Sequence, residues 1–501
     1  MRTLFISATL LFACAFSGFL NCRNNDFPVG YHFDEPKKVR FIQSGQQDFH
    51  HPVMMLELSR SAKMLLGVEE PNSIAVMGRT ITALFGTGIC LLLFLMSKPT
   101  LGERWSLMVM CSIAVMPTIV VHSHYLKEDI YLTFFSFASI YLFDHYLNKR
   151  DSGMAMITGI CFGLAIATHY KGLLLLLLFF PWVCRHLFCA FKKTLVHVVV
   201  FLVAGMLTFC VVNICLFEDP QLFFRGLKHE SHHIIQGHWV PIYWYDFFLA
   251  YHLRYSLIPG MTAMFAFAGV FAFAFYLSQI GKLTEMEKLL IVFGFISYFV
   301  PEISPLKPNP DDGRYVIPVV PVLIYFVTKG VSELACFLAK QKERSLIYVP
   351  IWALPTGLSL LLIVPLVDTW LLTDGLVNDT RELAWAFCEK EGIEAEFELM
   401  AGKRIEGHYA YDLTLDELRL AGKTHLICSS FSYQPFEMTK GLRHDPTTKR
   451  RREKYEHWFT GTIHEFKAAY RSFAFSNPTL KLIDLNRVQT VKRQSVSEPS
   501  H

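Results

Sequence analysis

Charged side chains are scarce in this sequence. Of its 501 residues only 18% are Asp, Glu, Lys or Arg, whereas 52% are hydrophobic. A soluble domain carries about 25% charged residues and has few long apolar runs, so the composition indicates a polytopic membrane protein. The net charge of +4 is small, and it gives no reason to expect a nucleic-acid partner.

Paired cysteine motifs are absent as well. The 12 cysteines include no Cys-x-x-Cys pair, which argues against a zinc ribbon or a disulfide framework. Most of them lie inside apolar runs, where cysteine behaves as a small hydrophobic residue. No internal repeat is visible, although paired repeats are common in secondary transporters.

Long apolar runs are what the sequence has in abundance. A membrane-spanning helix needs about 20 mostly apolar residues. The first run resembles a signal peptide, but the many later runs favour an uncleaved first helix. We predict eleven spans, near residues 3–21, 74–96, 104–122, 129–147, 153–169, 172–190, 194–216, 258–278, 288–303, 315–337 and 346–371.

The distribution of Lys and Arg predicts the orientation of these spans. With the N-terminus in the cytoplasm, the short loops on that side hold most of the basic residues, as membrane proteins prefer. An odd number of spans then places the C-terminus outside the cytoplasm. We expect a multi-pass protein of a bacterial inner membrane, or of the endoplasmic reticulum membrane if the chain is eukaryotic.

The composition changes near residue 371, which predicts a domain boundary. We expect a membrane module over 1–371, with long outer loops at 22–73 and 218–257, and a small extracytoplasmic α/β domain over 372–488. In that domain NDTRELAWAFCEKEGI is typical of a capped helix, and THLICSSFSY and LKLIDLN are typical of strands. The polar tail, 489–501, is expected to be disordered.

Ionisable residues cluster at the predicted outer ends of the spans. Such groups are costly near a membrane unless they meet water or a partner, and they often mark function. Asp34 and Glu35 follow the first span, and Glu128 and Asp129 begin the fourth. These positions predict one polar cavity that opens outward.

A cavity of this kind suits the transfer of a sugar from a polyprenyl phosphate. The reaction needs a carboxylate to take the proton of an acceptor hydroxyl, cations to hold the leaving phosphate, and an apolar groove for the prenyl chain. Asp34 is the candidate base, with Glu35 beside it. The candidate phosphate-binding residues are Arg314, Lys307, Lys171 and Arg79.

Five segments carry a resemblance to a known superfamily. They are HFDEPKKVRFIQSGQQDFHHP, HSHYLKEDIYLTFFSFASIYLF, GLAIATHYKGLLLLL, GRYVIPVVPVL and DTRELAWAF. In this order they resemble motifs of the GT-C glycosyltransferases, and more narrowly of the protein O-mannosyltransferase and aminoarabinose-transferase group. Each motif alone is weak, but five in family order, from residue 29 to about 390, are fairly specific. One departure is that the family's His-Pro-Pro reads His51-Pro52-Val53 here.

The resemblance implies a fold and roles for individual residues. The fold would be an α-helical GT-C membrane fold of about 11 transmembrane helices with a small C-terminal α/β domain. Asp34 would be the base, Asp129 would bind the acceptor or a metal or shape the cavity, and Arg314 would contact the lipid phosphate. The reaction would be a single displacement with inversion. With Asp129 we group Glu128, His51 and His124 as cavity or metal-binding candidates.

The expected partners follow from this reading. They are the lipid bilayer, a polyprenyl-phosphate-linked sugar as donor, and a hydroxyl of a glycolipid, glycan or protein as acceptor. No cofactor is required, but paired acids and histidines can hold a divalent metal. The candidate metal ligands are His229 and His233, four residues apart on a predicted helix, and Asp129.

Each assignment has an ordinary structural alternative. Asp34 and Glu35 could cap a surface helix that starts at Pro36, and Asp129 could cap the fourth span. Basic side chains near a bilayer, Arg314 included, often only extend to lipid headgroups. The four histidines at positions 229, 232, 233 and 238 could belong to a hydrated loop. For the whole protein the alternatives are a secondary transporter or lipid flippase, with acids that bind ions, and a non-catalytic glycan-binding scaffold.

Overall fold

The computed structural model describes residues 2–236, 242–304, 307–341, 353–402, 407–440, 442 and 445–488. Most of these residues are helical, and a small sheet lies near the C-terminus. The predicted tail at 489–501 and the first part of the predicted span 346–371 lie outside the described residues.

The N-terminal part is a bundle of apolar helices joined by short turns and one longer segment. Its helices are α1 (Arg2–Cys22), α2 (Glu35–Ser44), α3 (Met54–Leu66), α4 (Pro71–Ala114), α5 (Pro117–Ser123), α6 (Glu128–Lys149), α7 (Ser152–Thr168), α8 (Leu174–Cys189), α9 (Phe191–Val212) and α10 (Pro220–Gln236).

The bundle continues beyond α10 with helices that are partly broken. They are α11 (Ile258–Met261), α12 (Ala263–Ser278), α13 (Glu285–Ile303), α14 (Val319–Gln341), α15 (Ala353–Leu361) and α16 (Ile363–Asp374). A π-helix over Leu253–Leu257 precedes α11, and a 3-10 turn over Arg314–Val316 precedes α14.

The predicted number of spans is not confirmed. Among the described residues, five helices are long and apolar enough to cross a membrane, or six if the segment 253–278, bent by 113°, is one broken span. Two predicted spans, 74–96 and 104–122, fall on α4, which is interrupted at Gly102. The second of these also extends over most of α5, because α4 ends at Ala114 and Pro117 starts that short helix. The count of eleven stays a prediction, whereas the apolar helices agree with a multi-pass membrane protein.

Amphipathic helices connect the membrane helices on the side of the C-terminal domain. Helix α2 begins immediately after Asp34, and α3 begins shortly after His51. Helix α10 packs against the segment between α2 and α3, where Gly226 faces the backbone of Phe49. A Cβ at Gly226 would lie 2.5 Å from the Phe49 carbonyl oxygen, so only glycine allows this approach. Helix α10 is thereby held against the segment that joins α2 to α3.

The C-terminal domain combines helices with a four-stranded sheet. The helices are α17 (Thr380–Glu391), α18 (Leu415–Leu420), α19 (Ser430–Met438) and α20 (Pro446–Phe459), and the strands are β1 (Ala395–Phe397), β2 (His425–Ser429), β3 (Thr462–Phe466) and β4 (Leu480–Asp484). The strand order is β1-β2-β4-β3, with β1 parallel to β2 and the other two pairs antiparallel.

The sequence predicted the local structure of this domain well. Helix α17 lies where expected, with the Asp379 carboxylate accepting a hydrogen bond from the Arg381 amide and Gly392 in the left-handed conformation at its end. The predicted strands correspond to β2 and β4. The second half of the first strand segment is instead helix α19, because the Ser429 hydroxyl caps a new helix there.

Buried polar contacts join the C-terminal domain to the membrane helices. Arg381 is 1% exposed and binds the Asp379 carboxylate through Nε and Nη2, at 2.7 and 2.9 Å. The same guanidinium donates to the carbonyls of Tyr31, at 3.2 Å, and Phe475, at 2.8 Å. The domain is therefore held against the segment that leads into α2.

Candidate active site

A polar cavity of about 540 Å³ lies where these parts meet. The start of α2, the α5–α6 turn, the α7–α8 turn and the turn before α14 each contribute to its wall, α10 covers one side, and the C-terminal domain adds Met400 and Phe475. Among the residues proposed from the sequence, those that line the cavity are Asp34, His51, Glu128, Asp129, Lys171, His229 and Arg314.

Asp34 is placed by the turn that begins α2. It occupies the N-cap position of that helix, but its side chain makes no capping hydrogen bond. Its backbone amide donates to His32 Nδ1 at 3.1 Å, and its carboxylate, 32% exposed, forms an ion pair with Lys127 through Oδ2. The capping alternative is thus not what this side chain does.

The charges around Asp34 keep it ionised. Burial by itself raises the pKa of the carboxyl, but the Lys127 ammonium, with His32, Lys38 and Arg314 nearby, holds that pKa well below its usual range. An ionised carboxylate that faces a cavity can accept a proton from a hydroxyl group.

Glu35 lies on the other face of the same helix turn, away from the cavity. Its side chain is fully buried and binds Arg79 with both oxygens, at 3.0 and 2.5 Å, while Oε1 also accepts from the Leu126 amide at 2.8 Å. Arg79 completes its bonds with the carbonyls of Asn25 and Phe27. From the sequence we proposed Glu35 as a residue beside the base and Arg79 as a phosphate-binding cation. Neither lines the cavity, because the two form an ion pair in the core.

The second acidic pair begins α6. Glu128 forms a buried ion pair with Lys38 of α2, and it lies 3.6 Å from Lys127. Asp129 follows inside the first turn of the helix and does not cap it: Lys127 occupies the N-cap position, without a capping hydrogen bond from its side chain. Lys38 and Lys127 therefore link the two acidic motifs across the cavity wall.

Cations also line the cavity. Gly313, with φ +74°, starts the 3-10 turn that carries Arg314, and Arg314 Nε lies 3.1 Å from the Asp312 carboxylate. Lys171 Nζ lies 4.2 Å from the centre of the Tyr315 ring and forms no ion pair with the described residues. Asp34 and these cations thus share one cavity, as the resemblance implied.

Two further candidates bind backbone carbonyls outside the cavity. Lys307 Nζ donates to the carbonyls of Pro301, Glu302 and Ser304 at the end of α13, where a cation suits the free carbonyls of a helix terminus. His124 contacts the carbonyls of Val120 and Arg23, each within 2.8 Å. Neither residue lines the cavity, so the geometry favours structural roles for both.

Four histidine rings pack in two pairs beside α10. The rings of His50 and His229 stack with centroids 3.9 Å apart, and those of His51 and His169 lie 4.6 Å apart. Ligand atoms of His51, His169 and Glu230 all lie within 4.8 Å of one another. The sequence had instead proposed His229, Asp129 and His233, and the side chain of His233 lies outside the described residues.

These three side chains fit a divalent metal by their chemistry. Two imidazoles and a carboxylate are a common ligand set for zinc. His51 Nδ1 is buried without a hydrogen-bond partner, and burial lowers the pKa of His51 to about 3, so the ring is neutral as a metal ligand must be. Burial also raises the pKa of Glu230, which a nearby cation would offset.

Sequence reasoning missed several residues of this site. Lys127 and Asp312 received no role, although Lys127 directly precedes the second acidic pair and Asp312 lies two residues before Arg314. Glu230 was passed over inside a histidine-rich segment. Phe475, whose ring centroid lies 4.5 Å from that of His32, is far along the chain, and no sequence signal could have placed it here.

One part of the chain matches a known protein family. Residues 68–224 match the family model of dolichyl-phosphate-mannose-protein mannosyltransferases. No curated protein is similar enough to count as a match.

Solved structures with a similar fold were also found. The archaeal oligosaccharyltransferase AglB from Archaeoglobus fulgidus, in complex with an inhibitory peptide and a dolichol-phosphate, superposes with a TM-score of 0.55 at 11% identity, covering 89% of this chain and 72% of that one. A complex of the A. fulgidus oligosaccharyltransferase with Zn and sulfate gives 0.52 at 11% identity, with 94% and 73% covered. ArnT from Cupriavidus metallidurans, bound to undecaprenyl phosphate, gives 0.49 at 15% identity, with 77% and 72% covered. Together with the family-model match, the oligosaccharyltransferase fold confirms the resemblance seen in the sequence: this chain has the fold of the GT-C superfamily of membrane glycosyltransferases.

Proposed function

We propose that this protein transfers a sugar from a polyprenyl-phosphate donor to a hydroxyl group of a glycolipid, glycan or protein. The observation that carries the proposal is the shared cavity, in which the ionised Asp34 carboxylate and the cations Arg314 and Lys171 are all present. A base and an anion-binding wall around one cavity are what displacement of a lipid phosphate requires.

In the proposed reaction the acceptor hydroxyl lies against Asp34. Its oxygen forms a bond to the anomeric carbon of the donor sugar, while the bond from that carbon to the phosphate oxygen breaks. The hydroxyl proton passes to Asp34, and polyprenyl phosphate leaves with the electron pair. One displacement inverts the anomeric carbon, since no second carboxylate acts as a nucleophile.

Three cationic residues would stabilise the charges of the reaction. Lys127 holds Oδ2 of Asp34 in an ion pair, which orients the carboxylate and leaves Oδ1 for the hydroxyl proton. Arg314 and Lys171 would bind the phosphate as its negative charge grows. Lys171 is the more available of the two, since Arg314 is partly neutralised by Asp312.

A divalent cation held by His51, His169 and Glu230 would add positive charge beside this wall and help to hold an anionic group. The Zn complex of the A. fulgidus oligosaccharyltransferase is consistent with this. Metal analysis of the purified protein, and transfer measured with and without a chelator, decide whether such an ion is required.

The orientation and the domain limits remain part of this proposal. We infer that the cavity opens outside the cytoplasm, with the N-terminus cytoplasmic and the domain over 372–488 extracytoplasmic. Secondary transport is the weaker alternative, because the acids lie at helix ends and beside an extra domain, whereas transporters place them near mid-membrane.

Substitution of Asp34 tests the proposal. Asp34→Asn should reduce transfer by about 10² to 10⁴, the usual contribution of a general base, with little change in thermal stability in detergent. Glu57→Gln, a surface change in α3, is the control and should retain activity. Normal transfer by Asp34→Asn would refute the assignment of the base.

A further inference from the structure

A second cavity, of about 820 Å³, lies outside the catalytic cavity. It is formed by the break between α11 and α12, by α16, and by the segment 470–472 of the C-terminal domain. The two cavities have no lining residue in common. They are separated by one turn, in which Asp311 faces this groove and Asp312 faces the catalytic cavity.

One wall of the groove is apolar and faces the region that lipid occupies. Val364 and Val367 of α16 are 53% and 50% exposed, and α15–α16 is one of the segments apolar enough to cross a membrane. Exposed aliphatic side chains on such a helix contact acyl chains. The groove can therefore hold a lipid chain along α16.

The other end of the groove is polar and firmly built. Asp368 of α16, 6% exposed, binds Arg471 through both oxygens, at 3.0 and 2.7 Å. Arg471 also donates to the Pro259 carbonyl at 2.7 Å, next to the helix break. These bonds fix the side chains at the polar end. The ion pair neutralises Asp368 and much of the charge of Arg471.

Two charged groups in the groove form no ion pair with the described residues. The Arg254 guanidinium is exposed and lies 5.0 Å from the centre of the Tyr255 ring. The Asp311 carboxylate forms no ion pair with any described residue: the Arg471 charge acts on it only from a distance, since that guanidinium is bound by Asp368. The backbone amide of Asp311 binds the Tyr255 carbonyl at 2.8 Å. Because Asp311 is bonded to the neighbour of Arg254, the unpaired cation and the unpaired acid lie at the same end of the groove.

A strained threonine adds a polar group without a partner. Thr262 lies at the break with φ +67°, a conformation that β-branched residues avoid. Its Oγ1 atom is buried and has no hydrogen-bond partner. A buried hydroxyl is rarely left unsatisfied, so this atom points to a ligand that supplies the missing hydrogen bond.

We propose that this groove binds a zwitterionic phospholipid whose headgroup carries a primary ammonium. Its phosphodiester accepts from Arg254 and from the Thr262 hydroxyl, its ammonium donates to Asp311, and an acyl chain lies along Val364 and Val367. A headgroup with one charge of each sign matches the one unpaired cation and the one unpaired acid, whereas an anionic headgroup would leave Asp311 without a partner.

Native mass spectrometry of the protein released from detergent tests this proposal. The probes are phosphatidylethanolamine, phosphatidylcholine and phosphatidylglycerol. We expect phosphatidylethanolamine to be retained about tenfold better than the other two, since only it has both a phosphodiester and a hydrogen-bonding ammonium. Arg254→Gln should lower its retention about tenfold, and Asp311→Asn should abolish the preference over phosphatidylglycerol.

Matched variants separate the groove from general lipid contact. Val364→Trp fills the groove and should prevent retention, while Val199→Trp, at an equally exposed position on α9, should not. Arg225→Gln, an exposed arginine on α10, is the control for Arg254. Equal retention of the three lipids, or retention of phosphatidylethanolamine by Val364→Trp, would overturn the proposal.

Discussion

Two neighbouring carboxylates show how strongly local geometry decides the role of a residue. Asp34 and Glu35 are adjacent in sequence, but the start of α2 turns Asp34 toward the cavity and Glu35 into the core. There Glu35 meets Arg79, which is 0% exposed. A buried charge must be paired, so the partner available on each side of the turn separates a candidate base from a structural acid.

Asp312 makes the net charge around Arg314 depend on pH. Burial raises the pKa of Asp312 to about 6, although Arg314 opposes this shift. Because the folded-state pKa lies above the usual value, the folded protein binds this proton more tightly, and the contribution of Asp312 to stability falls as the pH rises through about 6. Below that pH Asp312 is neutral and no longer offsets the charge of Arg314.

We therefore expect binding of a phosphodiester donor to strengthen as the pH falls from about 7.5 to about 5.5, by on the order of 1 kcal/mol or roughly fivefold. A phosphodiester keeps one charge over this range, so the change reports on the protein. Calorimetric titration in detergent measures it. Asp312→Asn should bind tightly at every pH in the range, and an unchanged pH dependence in that variant would show that another group is responsible.

At the scale of the elements, the Glu35–Arg79 pair fixes α2 to α4. This pair sets where α2 begins and so where Asp34 points. Glu35→Gln should leave Arg79 buried without a counter-charge and lower the free energy of unfolding by about 3–5 kcal/mol, which thermal unfolding in detergent measures. Arg79→Met should cost a similar amount, for the same reason.

The double variant separates pairing from catalysis. Because both charges are then removed, Glu35→Gln with Arg79→Met should be clearly less unstable than the sum of the single variants. Glu57→Gln, whose carboxylate is partly exposed beside Arg60, should change stability by less than about 1 kcal/mol. If Glu35→Gln were as stable as the parent but inactive, the structural assignment would be wrong.

At the scale of the whole molecule, the C-terminal domain is part of the cavity wall. It supplies Met400 and Phe475 to the lining, and Arg381 anchors it to the carbonyl of Tyr31. Asn309 Nδ2 adds a hydrogen bond to the Phe431 carbonyl at 2.7 Å. These bonds fix the joint between the C-terminal domain and the membrane helices, and so they fix the shape of the cavity that both parts line.

Loss of the joint should therefore affect both stability and transfer. Arg381→Met leaves Asp379 buried without its partner and removes the bonds across the joint, at a cost of about 3–5 kcal/mol. We expect faster limited proteolysis within 375–488 and weaker transfer. Arg450→Met, at an exposed position on α20, should behave like the parent, and equal protease resistance of both variants would contradict the role of Arg381.

Much of this organisation could be predicted from residue patterns. Scarce charge and long apolar runs determined the membrane class, because a lipid environment tolerates few unpaired charges. A capping residue at Asn378 or Asp379 and the terminal Gly392 predicted helix α17, because caps act locally. The order of the motifs determined the superfamily.

The tertiary structure alone decided which ionisable residues face the cavity. Glu35, Arg79, Lys307 and His124 have the right chemistry and lie near the right helix ends, but each finds a partner in the protein. The group formed by His51, His169 and Glu230 comes from three distant parts of the chain. A sequence determines charge and local conformation through neighbours along the chain, whereas pairing and burial depend on neighbours in space, which only the folded helices bring together.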